Sequence, residues 1–307
     1  MPRPSVTEVE TPYPEHLRDM VEEYLEGLTF TATDPLELQE MAGTQGLVDA
    51  MRHSLLAGGK RIRPVLALAT CESLGGRAED LLPAAAAIEL VHTYSLIHDD
   101  LPALDDDDLR RGRPTCHKLF GEDTAILAGD ALFAEAVQLV AEHQPGSAEV
   151  RVGILREISR ATGVAGMVGG QYLDLKDAGL ESPDALRRVH ALKTGRLMSC
   201  AVHCALVLVE PPPPIDGALR RFAKELGLLF QIVDDILDVE GSEADLGKAV
   251  GADARQGKIT YVSVHGLVEA RRLAGEAYER ALASLATLPG PVDHLVGITD
   301  LTFRRQH

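Results

Sequence analysis

Aromatic side chains are scarce in this sequence of 307 residues. Trp is absent, and Phe and Tyr together account for only 4% of the chain. The hydrophobic residues, 45% of the total, must therefore pack mainly through Ala and Leu, which are strong helix formers. The period-2 alternation of a half-buried strand never lasts more than a few positions. The composition therefore predicts an all-α protein.

Cysteine is also rare, with four residues and no CxxC pair. Cys200, His203 and Cys204 could be considered as zinc ligands, but no fourth ligand stands at a suitable spacing. We therefore interpret all four cysteines, Cys71, Cys116, Cys200 and Cys204, as small buried helix residues.

Positive charge is in deficit: 47 acidic residues face 30 basic ones, giving a formal net charge of −17. This balance argues against nucleic acid and against anionic membrane surfaces as partners. It would also repel a phosphorylated substrate, unless bound metal ions and local Lys/Arg clusters reverse the sign at the site.

Long hydrophobic runs are missing as well, since none approaches the ~18 residues of a membrane span. We therefore expect no stable membrane insertion. The N-terminal segment MPRPSVTEVETPYPEH is acidic and proline-rich, unlike a signal or transit peptide. A cytoplasmic location is the resulting expectation, with residues 1–15 disordered and residues 16–307 forming the folded domain.

Proline and glycine punctuate the rest of the chain. Between these breaks lie long apolar segments such as residues 83–101 and 184–210, and neither a repeat nor a Gly/Ser linker interrupts the interior. The pattern predicts a single domain of about ten or more helices.

Residues 98–114, HDDLPALDDDDLRRGRP, carry six aspartates within ten positions. His92, Ser95 and Asp99 share one helical stripe, and Pro102 should end or bend the helix so that Asp105 returns toward Asp99. A solvated acidic face is the common alternative. Carboxylate oxygens are, however, the ligands that Mg²⁺ prefers.

A second aspartate cluster, FQIVDDILD, occupies residues 230–238. Asp234 and Asp238 are four residues apart, so on a helix both carboxylates lie on one face and repel each other. A bound cation would remove that cost. The alternative, an exposed helix start, fits poorly because apolar residues flank the cluster on both sides.

Basic residues stand at several helix breaks. The segment GGKRIRP, residues 58–64, places three bases behind a flexible glycine pair, where arginines could grip phosphate oxygens in a bidentate manner. Two metal-binding clusters combined with separate bases imply a substrate rich in phosphate, such as a pair of diphosphates. The other bases considered are Arg110, Arg111, Lys193, Lys248 and Lys258.

Together these motifs resemble those of the trans-prenyl diphosphate synthases. HDDLPALDDDDLRRGRPTCH is similar to their first aspartate-rich motif in its DDxxxxD form, and FQIVDDILD to the second. LLAGGKRIRP, GMVGGQYLDL, HALKTGRL and LGKAVGADARQGKITY agree in order. The two-residue insertion in the first motif and the basic ending FRRQH resemble bacterial farnesyl diphosphate synthases.

The resemblance implies a helical bundle around a central cavity and a Mg²⁺-dependent prenyltransferase that acts as a homodimer, with three ions when substrate is bound. It implies that Asp99, Asp105 and Asp234 ligate Mg²⁺, with Asp100 and Asp238 in support. It assigns isopentenyl diphosphate to Lys60, Arg63, His92 and Arg111. It assigns the allylic diphosphate to Arg110, Lys193, Gln231, Lys248 and Lys258.

Further roles follow from the same resemblance. Lys193, Thr194 and Gln231 would be catalytic, the last two offering oxygen dipoles to a developing cation. Tyr94, with Ser95, would limit the chain length of the product. The implied reaction is the head-to-tail (1'-4) condensation that gives farnesyl diphosphate, with geranylgeranyl diphosphate as the alternative product.

Three other functions fit parts of the sequence. Glu89 and His92 form an ExxH spacing found in di-iron carboxylate bundles, but the second ExxH that such a site needs is missing from the sequence. A terpene cyclase would share the helical fold but should not need the basic GGKRIRP segment. A non-catalytic synthase subunit should show decayed aspartate motifs, whereas both are intact here.

Overall fold

The structure is a computed structural model that describes residues 12–30, 36, 39, 41–176, 183–240 and 259–304. Almost all regular structure in these residues is helical, and a π-helical turn of five residues, Ala191–Gly195, joins α9 to α10. In chain order the α-helices are α1 (Glu15–Gly27), α2 (Gln45–Leu55), α3 (Ile62–Ser73), α4 (Ala78–Asp99), α5 (Cys116–Phe120), α6 (Glu122–His143), α7 (Ala148–Thr162), α8 (Met167–Leu175), α9 (Pro183–His190), α10 (Arg196–Val209), α11 (Pro213–Glu240), α12 (Tyr261–His265), α13 (Leu267–Leu285) and α14 (Asp293–Arg304).

The prediction of an all-α protein with ten or more helices is confirmed. The strands of the described chain are β1 (Leu109–Arg110) and β2 (Arg113–Pro114), which pair antiparallel with Leu109 opposite Pro114. This small hairpin lies between α4 and α5 and reverses the chain directly after the first aspartate cluster.

Helix α4 lies at the centre of the molecule and packs against α1, α3, α6 and α10. Its four consecutive alanines, residues 84–87, are all fully buried. A helix that is apolar on every side belongs in a core, and alanine lets the neighbouring helices approach closely. The end of α4 at Asp99 is therefore held firmly on several sides.

Pro83 lies inside α4, where proline disturbs the main-chain hydrogen bonds. The buried Gln144 side chain fills the gap. Its Oε1 accepts from the Ala84 N–H at 3.1 Å, and its Nε2 donates to the Asp80 carbonyl at 2.7 Å. The helix predicted for residues 83–101 therefore begins five residues earlier and runs on to Asp99.

Helix α11 is the longest, with 28 residues, and packs against α10, α13 and α14. It begins at Pro213, within the Pro-rich connector, because proline is tolerated in the first turn of a helix. Its last two turns carry the second aspartate cluster. All four cysteines are free and buried, as predicted.

The described chain begins at residue 12, ahead of the boundary predicted at residue 16. Helix α1 starts at Glu15, and the Tyr13 hydroxyl donates to the Lys60 carbonyl at 2.6 Å. This bond fixes the segment ahead of α1 against the basic segment. Residues 1–11 lie outside the described residues.

We expected no segment long and apolar enough to span a membrane. By length and composition alone, this expectation was wrong for two segments. These are Glu122–His143 and Asp184–Val209. Each contributes buried residues to the bundle, among them Leu132 in α6 and Met198 in α10. Buried core helices of globular proteins pass the same test, so these two are weak indicators of a membrane span.

Candidate active site

A single cavity of about 1050 Å³ collects the predicted site residues. It lies where the C-terminal ends of α4 and α11 face the basic segment 58–63, α8 and the π-helical turn. Among the predicted site residues that the structure describes, only Asp100 and Asp238 lie outside the lining of this cavity. Those that line it are Lys60, Arg63, His92, Tyr94, Ser95, Asp99, Asp105, Arg110, Arg111, Lys193, Thr194, Gln231 and Asp234.

The first aspartate cluster forms a tight turn at the end of α4. The Asp105 N–H donates to the Asp99 carbonyl at 2.9 Å, so the chain returns to Asp99 as predicted. Burial raises the pKa of Asp99 to about 6, while the ammonium of Lys193 opposes this rise and Asp105 adds to it. The ionised carboxylate is thus destabilised in this cavity, and a bound cation would remove that penalty.

The second cluster contributes Asp234 and Asp235 to the cavity lining, and Asp235 also has a structural role. Asp235 is buried and accepts hydrogen bonds from Gln231 Nε2 at 2.8 Å and from the Tyr261 N–H at 2.7 Å. It therefore ties α11 to α12. Gln231 also lines the cavity, and its amide group is fixed by this hydrogen bond.

The two aspartates predicted to support the metal lie elsewhere. Asp100 is one position beyond Asp99, and the 100° rotation per residue turns it away from the cavity toward Arg110, whose Nε donates at 2.7 Å. Asp238 is one turn beyond Asp234 and is buried. Asp100 therefore acts by fixing Arg110, and neither carboxylate faces the space where substrate would bind.

Lys193 owes its position to the π-helical turn. The extra residue in such a turn re-aims neighbouring side chains, and π-turns are frequent at functional sites. Gly170 of α8 permits α8 to pack closely against the π-helical turn, because a Cβ at position 170 would lie 2.3 Å from the backbone nitrogen of Lys193. The Lys193 Nζ lies 2.7 Å from Asp174. Burial favours the neutral amine, but Asp174 and Asp99 outweigh it and raise the pKa of Lys193.

Arg61 is part of the cavity wall and anchors the basic segment. It is buried in the left-handed conformation (φ 49°) and pairs with Glu22 at 2.8 Å and Glu89 at 2.7 Å. This contact occupies the glutamate of the ExxH spacing with a guanidinium, which argues against the di-iron alternative. With Arg61 fixed, the flanking Lys60 and Arg63 line the cavity.

Gly59 makes room for Arg111. Its φ is +130°, and a Cβ there would lie 2.9 Å from the Arg111 guanidinium carbon. Arg111 also donates to the carbonyl of Gly58. Arg63 lies 5.8 Å from the centre of the Phe230 ring, a cation–π distance.

His92 is enclosed by these cations. Burial, followed by the positive charges of Arg63 and Arg111, lowers the pKa of His92 well below its ordinary value. The imidazole is therefore neutral at physiological pH and acts as a hydrogen-bonding group.

Tyr94 and Ser95 both line the cavity, but the structure separates their surroundings. The Tyr94 ring packs edge-on against Phe133 of α6 at 5.6 Å and against His98 at 5.8 Å. The Ser95 hydroxyl donates to the His92 carbonyl at 2.8 Å. An aromatic wall from two helices thus stands one turn below Asp99.

Sequence reasoning missed several cavity residues. Asp174 and Gln171 belong to the GMVGGQYLDL motif, and Asp107 lies in the first aspartate cluster. Carboxylates within recognised motifs were the available signal. Lys248 and Lys258, predicted to hold the allylic diphosphate, lie outside the described residues.

Comparison with known proteins decides the family. Residues 44–289 match the Polyprenyl synthetase family model. The chain belongs to that family. It is 46% identical to farnesyl diphosphate synthase of Micrococcus luteus over 81% of this chain and 86% of that protein. It is also 46% identical to chloroplastic geranylgeranyl pyrophosphate synthase of Capsicum annuum, over 77% of this chain and 65% of that protein.

A solved structure supports the family's fold here. The crystal structure of a geranyltransferase from Legionella pneumophila covers 95% of each chain with a TM-score of 0.81 at 33% identity. The chemistry of the residues in the cavity fits a magnesium centre. Asp99, Asp105 and Asp234 offer hard carboxylate oxygens around one space, and one of them carries a burial penalty that a cation would relieve.

Proposed function

We propose that the protein catalyses the Mg²⁺-dependent head-to-tail (1'-4) condensation of isopentenyl diphosphate with dimethylallyl or geranyl diphosphate, giving farnesyl diphosphate and diphosphate. One observation carries the proposal: aspartates from two helix ends, two groups of bases and an aromatic wall meet in a single cavity. Such a cavity suits two phosphate-rich substrates with apolar tails.

The allylic diphosphate is assigned to the side of the cavity that contains the aspartates. Asp99, Asp105 and Asp234 would hold Mg²⁺, three ions with substrate bound, and these ions would neutralise the diphosphate as it leaves. Lys193 and Arg110 contribute fixed positive charge there. Both are already oriented by carboxylates, Asp174 and Asp100, so little reorganisation is needed when negative charge develops.

Isopentenyl diphosphate is assigned to the opposite group of cations. Lys60, Arg63 and Arg111 supply charge, and the neutral His92 can donate a hydrogen bond to a phosphate oxygen. This arrangement needs no metal ligand, since no carboxylate is assigned to that group. The two diphosphates would then lie with their reacting carbons between the clusters.

In the chemical step the allylic C1–O bond breaks. Its electron pair leaves with the diphosphate, and a carbocation remains on the allylic carbon chain. The double bond of isopentenyl diphosphate attacks C1, and a proton is lost to the released diphosphate. Gln231 and Thr194 line the cavity, and their side-chain oxygens would stabilise the cation by their dipoles. The apolar lining excludes water that would otherwise quench it.

Farnesyl diphosphate is the proposed product because Tyr94 lines the cavity near Asp99, with its ring packed against Phe133, and would limit the length of the prenyl tail. Geranylgeranyl diphosphate is the second candidate, and the Capsicum relative carries that name. We also propose a homodimer. Exposed apolar residues on neighbouring helices, Leu119 on α5 and Ile126 and Leu127 on α6, support a subunit contact there.

One assay tests the proposal. The purified protein is incubated with Mg²⁺, labelled isopentenyl diphosphate and each allylic primer in turn, and the dephosphorylated products are separated by chromatography. Farnesol as the main product is expected. Cyclic hydrocarbons from an allylic diphosphate alone would indicate a terpene cyclase. A protein that turns over only with a second subunit would be the non-catalytic alternative.

A further inference from the structure

A second group of potential metal ligands lies away from the central cavity. His16 is in the first turn of α1, Glu72 near the end of α3 and His294 in the first turn of α14. One ligand atom from each lies within 4.8 Å of the other two. None of the three lines the central cavity.

The distances suit a shared ion. His294 Nδ1 and Glu72 Oε2 are 3.1 Å apart. Two ligands held at ~2.0–2.1 Å from one tetrahedral zinc would be roughly 3.4 Å apart, so this pair needs almost no movement. The ring centroids of His16 and His294 are 5.0 Å apart. His16 is exposed, and its nitrogen, within 4.8 Å of the other two ligand atoms, would have to close the remaining gap by rotation of the side chain.

The ligand types select a different ion from the one proposed for the central cavity. Two imidazoles and one carboxylate suit Zn²⁺ and related transition metals, whereas Mg²⁺ prefers oxygen ligands. Three protein ligands would leave a fourth position for water.

We propose that His16, Glu72 and His294 form a Zn²⁺ site that clamps α1 and α14 to α3. Helix α1 places Leu17, Val21 and Leu25 in the core, so a cross-link at its first turn would oppose fraying of the N-terminal helix. The clamp would join α1 and α14, which lie near opposite ends of the described chain. A link between segments so far apart in sequence would be effective against unfolding.

The test uses the full chain in saturating Mg²⁺, which would occupy the carboxylates proposed to bind it in the central cavity. Zn²⁺ is titrated by calorimetry, and the melting temperature is measured at each concentration. Binding of one equivalent and a rise in melting temperature are expected, because a ligand that binds only the folded state stabilises it. His16→Ala and His294→Gln should each raise the Kd at least tenfold and remove the thermal shift.

A matched control and a spectroscopic readout complete the experiment. His143 also faces a glutamate, Glu142, at 3.9 Å on the surface, and His143→Ala should leave the Kd unchanged. Co²⁺ in place of Zn²⁺ should give the visible absorption bands of a tetrahedral complex in wild type but not in His16→Ala. Equal Zn²⁺ affinity in wild type, His16→Ala and His294→Gln would overturn the proposal, as would binding abolished by Asp99→Ala instead.

Discussion

The Lys193 ammonium and the Asp174 carboxylate lie 2.7 Å apart across the interface between the π-helical turn and α8. Both line the central cavity, and Asp99 also acts on the lysine's charge. The lysine is therefore oriented before any substrate arrives. Preorganised charge of this kind stabilises a developing anion more effectively than charge that must first move into place.

The Lys193–Asp174 pair yields the first prediction. Asp174→Asn should lower kcat/KM for the allylic substrate about tenfold or more, since a charge-assisted hydrogen bond contributes ~1.5–3 kcal/mol, while the KM for isopentenyl diphosphate should change little. Steady-state kinetics with each substrate varied would check this. Asp130→Asn, an exposed change on α6, serves as the control. An unchanged allylic kcat/KM would show that the pair does not position Lys193 for catalysis.

The metal assignment predicts a large effect at the aspartates. Asp99→Ala and Asp234→Ala should each lower the condensation rate by about 10²–10³ or more, the scale seen when a group that stabilises transition-state charge is removed. Chelator should abolish activity and Mg²⁺ should restore it. Asp108→Asn should retain activity, because this exposed carboxylate pairs with Lys118 at 2.7 Å. Full turnover in excess EDTA would contradict the assignment.

The two substrate subsites can be separated by their apparent KM values. Arg63→Ala and His92→Ala should raise the KM for isopentenyl diphosphate by roughly ten- to hundredfold, the cost of a lost charge-assisted hydrogen bond. The KM for the allylic partner should move much less. Arg113→Ala in β2, outside the cavity lining, is the matched control. Equal increases in both KM values would show that these residues do not define a separate subsite.

Chain length should depend on the aromatic wall. Tyr94→Ala removes one ring and opens apolar space for further isoprene units, whose burial is favourable by about 25 cal/mol per Å². Longer products than those of wild type are expected on chromatography, and Phe133→Ala should act in the same direction. Tyr94→Phe keeps the ring and should keep the product. If Tyr94→Ala left the product distribution unchanged, another residue would have to set the length.

The sequence alone was sufficient for the helical class and for the family. Composition excluded large sheets, and the order of the motifs indicated the family that the comparisons then established. Local spacing also predicted the return of Asp105 to Asp99, because proline ends a helix by a short-range steric effect.

What each carboxylate does depended on the tertiary structure. Asp99 and Asp100 are neighbours in sequence, yet one faces the cavity and the other faces Arg110. Asp235 ties two helices together, although its sequence context matches that of Asp234. The direction in which a side chain points depends on the rotation of its helix. That rotation is set by core packing between segments far apart in the chain, which no local pattern of residues records.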